Sequence, residues 1–358
     1  MKPVKTGIIG CGVIAQHHLR SAREAPGLEV VAVADRDPET LRRTAEEFEI
    51  KKRYEDAGPL IDDPDVDAVV LALPAGIRCA IAVQALKAGK HVLLEKPTAC
   101  SVAEVDQLLK ARGELTVGVC SSRFTFLDSA RVARETVASG VLGPLRVVRA
   151  RGLLAAKGPS GKPPPPWRLS HKLNGGGIMA NWGCYDLNYL LEVTGWQLRP
   201  RTVLAQAWQT PAHLAPGRAA EGSDAENHVA ALIRCDDGIV LSLERGEFLS
   251  LQSDTAWQIT GERGSLRLQM VPGQSEAAPV INDVAPADYG VVSKTLVEGP
   301  VEDVNHLMPI RDFAEAVSEG RPPRTSLEKG RLIQQLTDAI YESARTGDAV
   351  KIDPTPIP

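Results

Sequence analysis

No C-x-x-C pair, no long apolar run and no basic cluster occurs in this chain of 358 residues, and each absence closes off a class of protein. Cys11, Cys79, Cys100, Cys120, Cys184 and Cys235 are scattered, so neither a disulfide framework nor a zinc knuckle is indicated, and a reducing compartment fits. No stretch reaches the roughly 18 consecutive apolar residues of a bilayer span. With 41 Lys and Arg against 45 Asp and Glu the formal net charge is −4, which argues against nucleic acid or an anionic membrane as the main partner. A strand pattern opens at Val4 and leaves no room for a signal peptide, so the expected location is the cytoplasm. What remains is a soluble globular chain, 43% hydrophobic and 24% charged. Its length suggests about two domains of roughly 150 residues each.

The first positive signal is an apolar strand from Val4 that runs into Gly10-Cys11-Gly12-Val13-Ile14-Ala15. This is the G-x-G-x-x-G/A pattern: Gly10 permits the tight turn, Gly12 lets the backbone approach a pyrophosphate, and Ala15 lets the next helix pack close to the strand. The start of that helix offers free N–H groups and a partial positive charge to phosphates. A second strand, residues 28–34, ends at Asp35, where a carboxylate can accept from ribose hydroxyls and repel a 2′-phosphate. That favours NAD over NADP. Arg36 pulls the other way, because a guanidinium there can stack on adenine or bind a 2′-phosphate. The plain alternative for Asp35 is a turn residue.

Residues 67–74 read as a buried strand ending at Pro74, and residues 78–88 as a helix closed by Gly89. A strand then ends at Glu95, just before Lys96-Pro97. Ser101, with Glu104 three residues on, caps a further helix, and residues 115–120 form a last strand. Apolar strands alternating with helices predict a parallel, doubly wound sheet, whose ligands sit at the carboxyl ends of the strands. Gly10, Gly12, Asp35, Pro74 and Lys96 all fall on that edge. Lys96 is therefore a candidate proton handler beside a bound dinucleotide, although Glu-Lys-Pro alone also fits a solvated lysine at a strand end.

Beyond Arg123 the pattern changes. Residues 128–139 read as a helix, 145–154 as a strand and 158–166 as a proline-rich exposed loop. Strands follow at 201–208, 228–234, 239–244, 256–260 and 265–270, some joined by turn signals at Asp237-Gly238 and Arg263-Gly264. Helices at 308–318 and 327–344 close the chain, which has no internal repeat. The expected fold is α/β: a dinucleotide-binding domain over residues 1–123, and an α/β domain over 124–358 on a mostly antiparallel open sheet, with the C-terminal helices packing back on the first domain.

One dense segment stands out in the second half, Trp167-Arg168 followed by residues 174–190 with a glycine triplet at 175–177. A helix starting near Gly177 puts Asn181, Tyr185 and Asn188 at i, i+4 and i+7 on one face. The competing reading turns those polar residues to water. The triplet, which allows another backbone or a ligand to approach closely, speaks against that. His17 and His18 are read as surface or packing residues, and His306 as a helix-start hydrogen bonder. His171 lies just before the glycines, in a loop that leaves its position open. No histidine and carboxylate spacing suggests a metal.

Taken together, Gly10-Cys11-Gly12, Glu95-Lys96-Pro97, Gly175-Gly176-Gly177 and the closing Tyr341-Glu342-Ser343-Ala344-Arg345-Thr346-Gly347 resemble the Gfo/Idh/MocA family, the glucose-fructose oxidoreductase and inositol dehydrogenase group, over nearly the whole chain. The resemblance implies a Rossmann domain of strand order 3-2-1-4-5-6, a C-terminal domain whose open sheet serves oligomer contacts, and NAD(P)-linked oxidation or reduction of sugars and cyclitols. Gly10, Cys11, Gly12, Val13, Ile14, Asp35, Arg36, Pro74, Glu95 and Lys96 are then the expected cofactor contacts. Where the family usually carries aspartate and then histidine, this chain holds Asn181 and Tyr185; tyrosine at the second position has precedent among active relatives. A free phenol ionises near pH ~10, too high for an efficient base, and a nearby ammonium favours the phenolate. Tyr185 is thus the expected acid/base and Lys96 its electrostatic partner and hydroxyl donor, with Lys96 itself the alternative proton acceptor. Asn181 would orient substrate without supplying charge. Arg123, Arg168 and Asn188 are further substrate-contact candidates. The expected partners are a carbohydrate or cyclitol and a second copy of the chain, as dimer or tetramer. Two other readings stay open: an NAD-dependent glycosidase or lyase working through a transient keto-sugar, and a sugar-sensing protein without turnover.

Overall fold

The structure, a computed structural model, describes residues 2–158, 164–215, 217–271, 279–286, 288–298 and 306–353. Most of the expected proline-rich loop, residues 159–163, lies outside the described residues. The chain divides into two compact units, Met1–Arg123 with Val304–Gln334, and Phe124–Asp303 with Gln335–Pro358.

The first unit alternates strand and helix: β1 (Val4–Ile9), α1 (Val13–Glu24), β2 (Leu28–Ala34), α2 (Pro38–Glu47), β3 (Lys52–Tyr54), α3 (Ala57–Ile61), β4 (Ala68–Leu71), α4 (Ala75–Lys87), β5 (His91–Leu94), α5 (Val102–Arg112) and β6 (Val117–Val119). The strands form one parallel sheet in the order β3-β2-β1-β4-β5-β6. Short polar caps start the helices: Asp37 accepts from the Thr40 N–H at 2.7 Å, and Ser101 from the Glu104 N–H at 3.3 Å. Every side chain of β4 is buried, as a central parallel strand covered on both faces requires.

The second unit holds α6 (Asp128–Ala138), β7 (Leu145–Ala155), α7 (His171–Asn174), a single π-helical turn at Met179–Gly183 that runs into α8 (Cys184–Val193), β8 (Pro200–Trp208), β9 (His228–Cys235), β10 (Val240–Leu249), β11 (Asp254–Gly261), β12 (Gly264–Leu268), β13 (Val280–Val284) and β14 (Val292–Val297). A helix α9 (Leu307–Glu319) belongs to the first unit, where it packs on α1, β1, β5 and β6. The unit boundary falls within α10 (Leu327–Thr346), and β15 (Val350–Lys351) follows. Nine strands join in the order β14-β13-β12-β11-β7-β10-β9-β8-β15. Neighbours are antiparallel except β7 and β10. The Asp237-Gly238 turn joins β9 to β10 with both residues left-handed, at φ 58° and 74°.

The expected strand over 239–244 runs on to Leu249, and β13, β14 and β15 carried no alternating apolar signal to announce them. All six residues of β14 are exposed or half-buried, and the strand is defined by its backbone ladder with β13, to which the Ser293 hydroxyl adds a hydrogen bond to Asp283 at 2.6 Å. Among the described residues no helix is long and apolar enough to cross a membrane.

Candidate active site

At the carboxyl edge of the first sheet the chain turns at Gly10, whose φ is +92° and where a Cβ would lie 2.6 Å from the Ala72 carbonyl oxygen. Only glycine fits there. Gly12, by contrast, has nothing within 4 Å of where its Cβ would be. Helix α1 begins beside it with no side-chain cap and no acidic residue in its first turn, and Val13 is 82% exposed. An open glycine cradle at an uncapped helix start suits a phosphate group, so these residues fit a dinucleotide. The Asp35 carboxylate is braced by the Cys11 N–H at 2.7 Å and the Asp37 N–H at 2.9 Å. Arg36 is exposed and pairs with Asp56 at 3.4 Å. Burial pushes the Cys11 thiol up to about 12, with Asp35 adding to the shift, so it stays protonated.

Pro74 stands at the start of α4. Arg78, one helical turn on, is buried and donates to the carbonyls of Leu73, at 2.8 Å, and Pro97, tying together the loops that follow β4 and β5. Glu95, 5% exposed, accepts from His18 Nε2 at 2.8 Å through Oε1 and from the Lys96 N–H at 3.0 Å through Oε2. Burial would push its carboxyl up, but the His18 hydrogen bond and charge, with Lys96 and Arg78, prevail and hold it at about 2. Cys120 brings its sulfur to the same group, so one nitrogen, one oxygen and one sulfur lie within 4.8 Å of one another. Burial, then Glu95, pushes that thiol well above its ordinary range. The reading of His18 as a packing residue therefore missed its partner, which stands 77 positions away. His306 is not a helix-start hydrogen bonder: its side chain makes no cap, and its ring stacks on His17 at 4.6 Å and meets His18 edge-on at 6.4 Å. Arg123 ends the first segment of this unit, in the 3₁₀ turn Cys120–Phe126.

In the second unit the glycine triplet is explained by close neighbours from the chain itself. A Cβ on Gly176 would fall 1.8 Å from the Tyr341 hydroxyl, and one on Gly177 would fall 1.8 Å from the Glu226 carbonyl oxygen. The buried Glu226 carboxylate accepts from the Gly177 N–H at 3.0 Å, the Met179 N–H at 2.9 Å and the Tyr341 hydroxyl at 3.0 Å. These bonds fix the start of the π turn. Sequence reasoning missed Glu226 and named Tyr341 only within the closing motif, since each lies far along the chain from the glycines it meets.

The segment is not one regular helix from Gly177. The π turn at Met179–Gly183 breaks the even spacing assumed for Asn181, Tyr185 and Asn188, and π turns recur at functional sites. Nor do these residues face water: Asn181 and Tyr185 are 5% exposed and Asn188 is fully buried. Asn181 donates through Nδ2 to the Arg168 carbonyl at 3.2 Å, so two of the expected substrate-side residues meet directly. The Arg168 guanidinium pairs with Glu247 at 2.9 Å. The Tyr185 ring packs edge-on against Phe124 at 5.1 Å and tilted against Trp182 at 5.6 Å. Next to it, Asp186 is locked by Arg245 at 2.8 and 3.0 Å and by Trp257 Nε1 at 2.9 Å, anchoring α8 to the sheet.

A parallel sheet of this order with a glycine cradle at the first strand's end defines a Rossmann unit of the dinucleotide-binding class. The family model described as "Oxidoreductase family, NAD-binding Rossmann fold" matches residues 4–120, and the "GFO/IDH/MocA C-terminal domain" matches residues 130–267. The chain belongs to the Gfo/Idh/MocA family and is an NAD(P)-dependent oxidoreductase. It is 23% identical over 351 residues to myo-inositol 2-dehydrogenase of Thermotoga maritima, covering 98% of this chain and 99% of the relative. It is 27% identical to D-xylose 1-dehydrogenase (NADP(+)) 2 of Haloferax volcanii, covering 97% and 99%. The solved structure of levoglucosan dehydrogenase in complex with NADH and L-sorbose shares the fold at a TM-score of 0.83, with 22% identity over 99% of this chain and 100% of that one.

Proposed function

We propose that the chain transfers a hydride between a secondary hydroxyl of a sugar or cyclitol and NAD. The observation that carries this reading is the open cradle at Gly12 beside the uncapped start of α1, on the same sheet edge as Lys96. Gly10, Cys11, Gly12, Val13 and Ile14 would hold the pyrophosphate, with Pro74, Glu95 and Lys96 further along that edge. Asp35 would accept from the ribose hydroxyls and Arg36, drawn to Asp56, would contribute less to a 2′-phosphate, which favours NAD over NADP. When bound, the nicotinamide supplies the hydride acceptor or donor.

The chain's own residues handle the proton. Tyr185 takes it from the substrate hydroxyl, Lys96 donates a hydrogen bond to that hydroxyl, and Asn181 orients the substrate without charge, with Arg123, Arg168 and Asn188 as further contacts. The second unit supplies the substrate side, and relatives named for myo-inositol and D-xylose support a polyhydroxylated substrate. We also infer a homo-oligomer, because Leu204, Trp208 and Leu232 of β8 and β9 are 50%, 45% and 47% exposed. The six free cysteines, five of them buried, suit a reducing cytoplasm.

A screen of NAD and NADP reduction across monosaccharides and cyclitols tests the reading. NADH formation with at least one polyol is expected, and no turnover with either cofactor on any of them would overturn it. Tyr185→Phe should then lower turnover by about 10²–10⁴ with NAD affinity intact.

A further inference from the structure

We propose that His18 is a positioning residue for Lys96, acting through Glu95 as a strut between helix α1 and the backbone at the end of β5. The inference rests on the reading of Lys96 as the hydroxyl donor. His18 is 1% exposed and sits on the inward face of α1, the helix whose start forms the glycine cradle. Its Nε2 donates to Glu95 Oε1 at 2.8 Å, and Glu95 Oε2 accepts from the Lys96 N–H at 3.0 Å. Each oxygen of the carboxylate thus accepts from a different donor, one on α1 and one on the lysine's own backbone, with the Cys120 thiol also against the group. A carboxylate this buried is retained only when its charge is compensated. Orienting groups of this kind, behind the reacting side chain, decide whether it stands in the productive geometry.

Every element around Glu95 contributes a titratable or charged group. α1 supplies His18, with His17 beside it; α4 supplies Arg78; the 3₁₀ turn supplies Cys120 and Arg123; His306 stands before α9; and Lys96 follows Glu95 directly. The Cys120 thiol is held protonated by burial, and the His306 imidazole is held neutral until about pH 4, again chiefly by burial. Removing His18 takes away the largest of the causes that hold Glu95 low, leaving Lys96 and Arg78 to oppose burial, so its carboxyl takes up a proton at higher pH than in the wild type.

The test compares His18→Phe, His18→Gln and Lys96→Ala in the full-length protein, with a polyol found active in the screen. His18→Gln keeps an amide N–H donor near the Nε2 position and should retain wild-type turnover. His18→Phe should lower kcat on the order of 10²-fold at neutral pH, as a misplaced reacting group does, while calorimetric NAD affinity stays near that of the wild type. It should also bring an acid limb into the pH profile that disappears in the His18→Phe/Glu95→Gln double variant. Carbon NMR of the Glu95 carboxyl reads the same change without turnover: in His18→Phe it should titrate at higher pH than in the wild type. Wild-type kcat and an unmoved Glu95 titration in a folded His18→Phe protein, with Lys96→Ala inactive, would overturn the strut alone. Wild-type turnover in Lys96→Ala would overturn the reading of Lys96 and the strut with it.

Discussion

At position 181 the difference between an amide and a carboxylate decides what the side chain can hold. Asn181 donates Nδ2–H to the Arg168 carbonyl, which also accepts from Asn174 Nδ2 at 3.2 Å, whereas an aspartate of the same shape at 181 would set an oxygen against that carbonyl and leave it the Asn174 donor. Asn181→Asp should therefore cost about 0.5–1.5 kcal/mol, read as a lower midpoint in urea, even though it restores the residue usual in the family. His306 carries a second expectation at this scale. Burial, with Arg123, His17 and His18, pushes its imidazole down to about 4. The unfolded chain, with an ordinary histidine near ~6.5, binds a proton first as the pH falls. Stability should thus be full above about 6.5 and decline until about 4, where the folded protein also takes up the proton. His306→Asn should flatten that part of the profile in urea melts at pH steps; an unchanged slope would mean that other groups carry the acid sensitivity.

The elements that could be read from sequence are those whose signals are local. Gly10 and Gly12 after β1, the Ser101 cap on α5 and the Asp237-Gly238 turn each announce themselves within a few residues. The π turn has no comparable mark, because what holds it is Glu226, whose partner N–H groups stand 49 and 47 positions away. Crowding at the glycines could be anticipated, but Tyr341 and Glu226 as its source could not. Gly177→Ala should lower the melting temperature sharply, since the methyl meets the Glu226 backbone and not a side chain that can swing aside. Helix α8 is tethered to the sheet by a buried ion pair, with Asp186 1% exposed and 4% of the Arg245 side chain exposed. Arg245→Met should cost about 3–5 kcal/mol in denaturant titration by stranding the Asp186 carboxylate, and the Asp186→Leu/Arg245→Met double variant should recover part of the loss. Equal losses in the two would mean that the pair holds α8 by shape alone.

For the whole molecule, the fold class was legible because the two halves differ in rhythm, strand and helix alternating to Cys120 and strands following in close succession from β8, whereas the strand order of the first sheet came only from the family resemblance. Strands β8 and β9 bring Leu204 opposite Leu232, both about half exposed, so a second copy is the expected cover. Leu204→Glu/Leu232→Glu should shift sedimentation toward the monomer; identical profiles would place any interface elsewhere. Helix α9 has a different consequence. It packs Ile310, Phe313 and Ala314 into the same apolar cluster as Ile8, Val33 and Leu93, yet it is encoded far beyond the last strand of that sheet. On the ribosome, the roughly 180 residues from Phe124 to Asp303 must be added first, which takes about 10–40 s at typical synthesis rates. For that interval the nascent Rossmann sheet has an uncovered apolar flank, which makes it a client for whatever shields newly made chains.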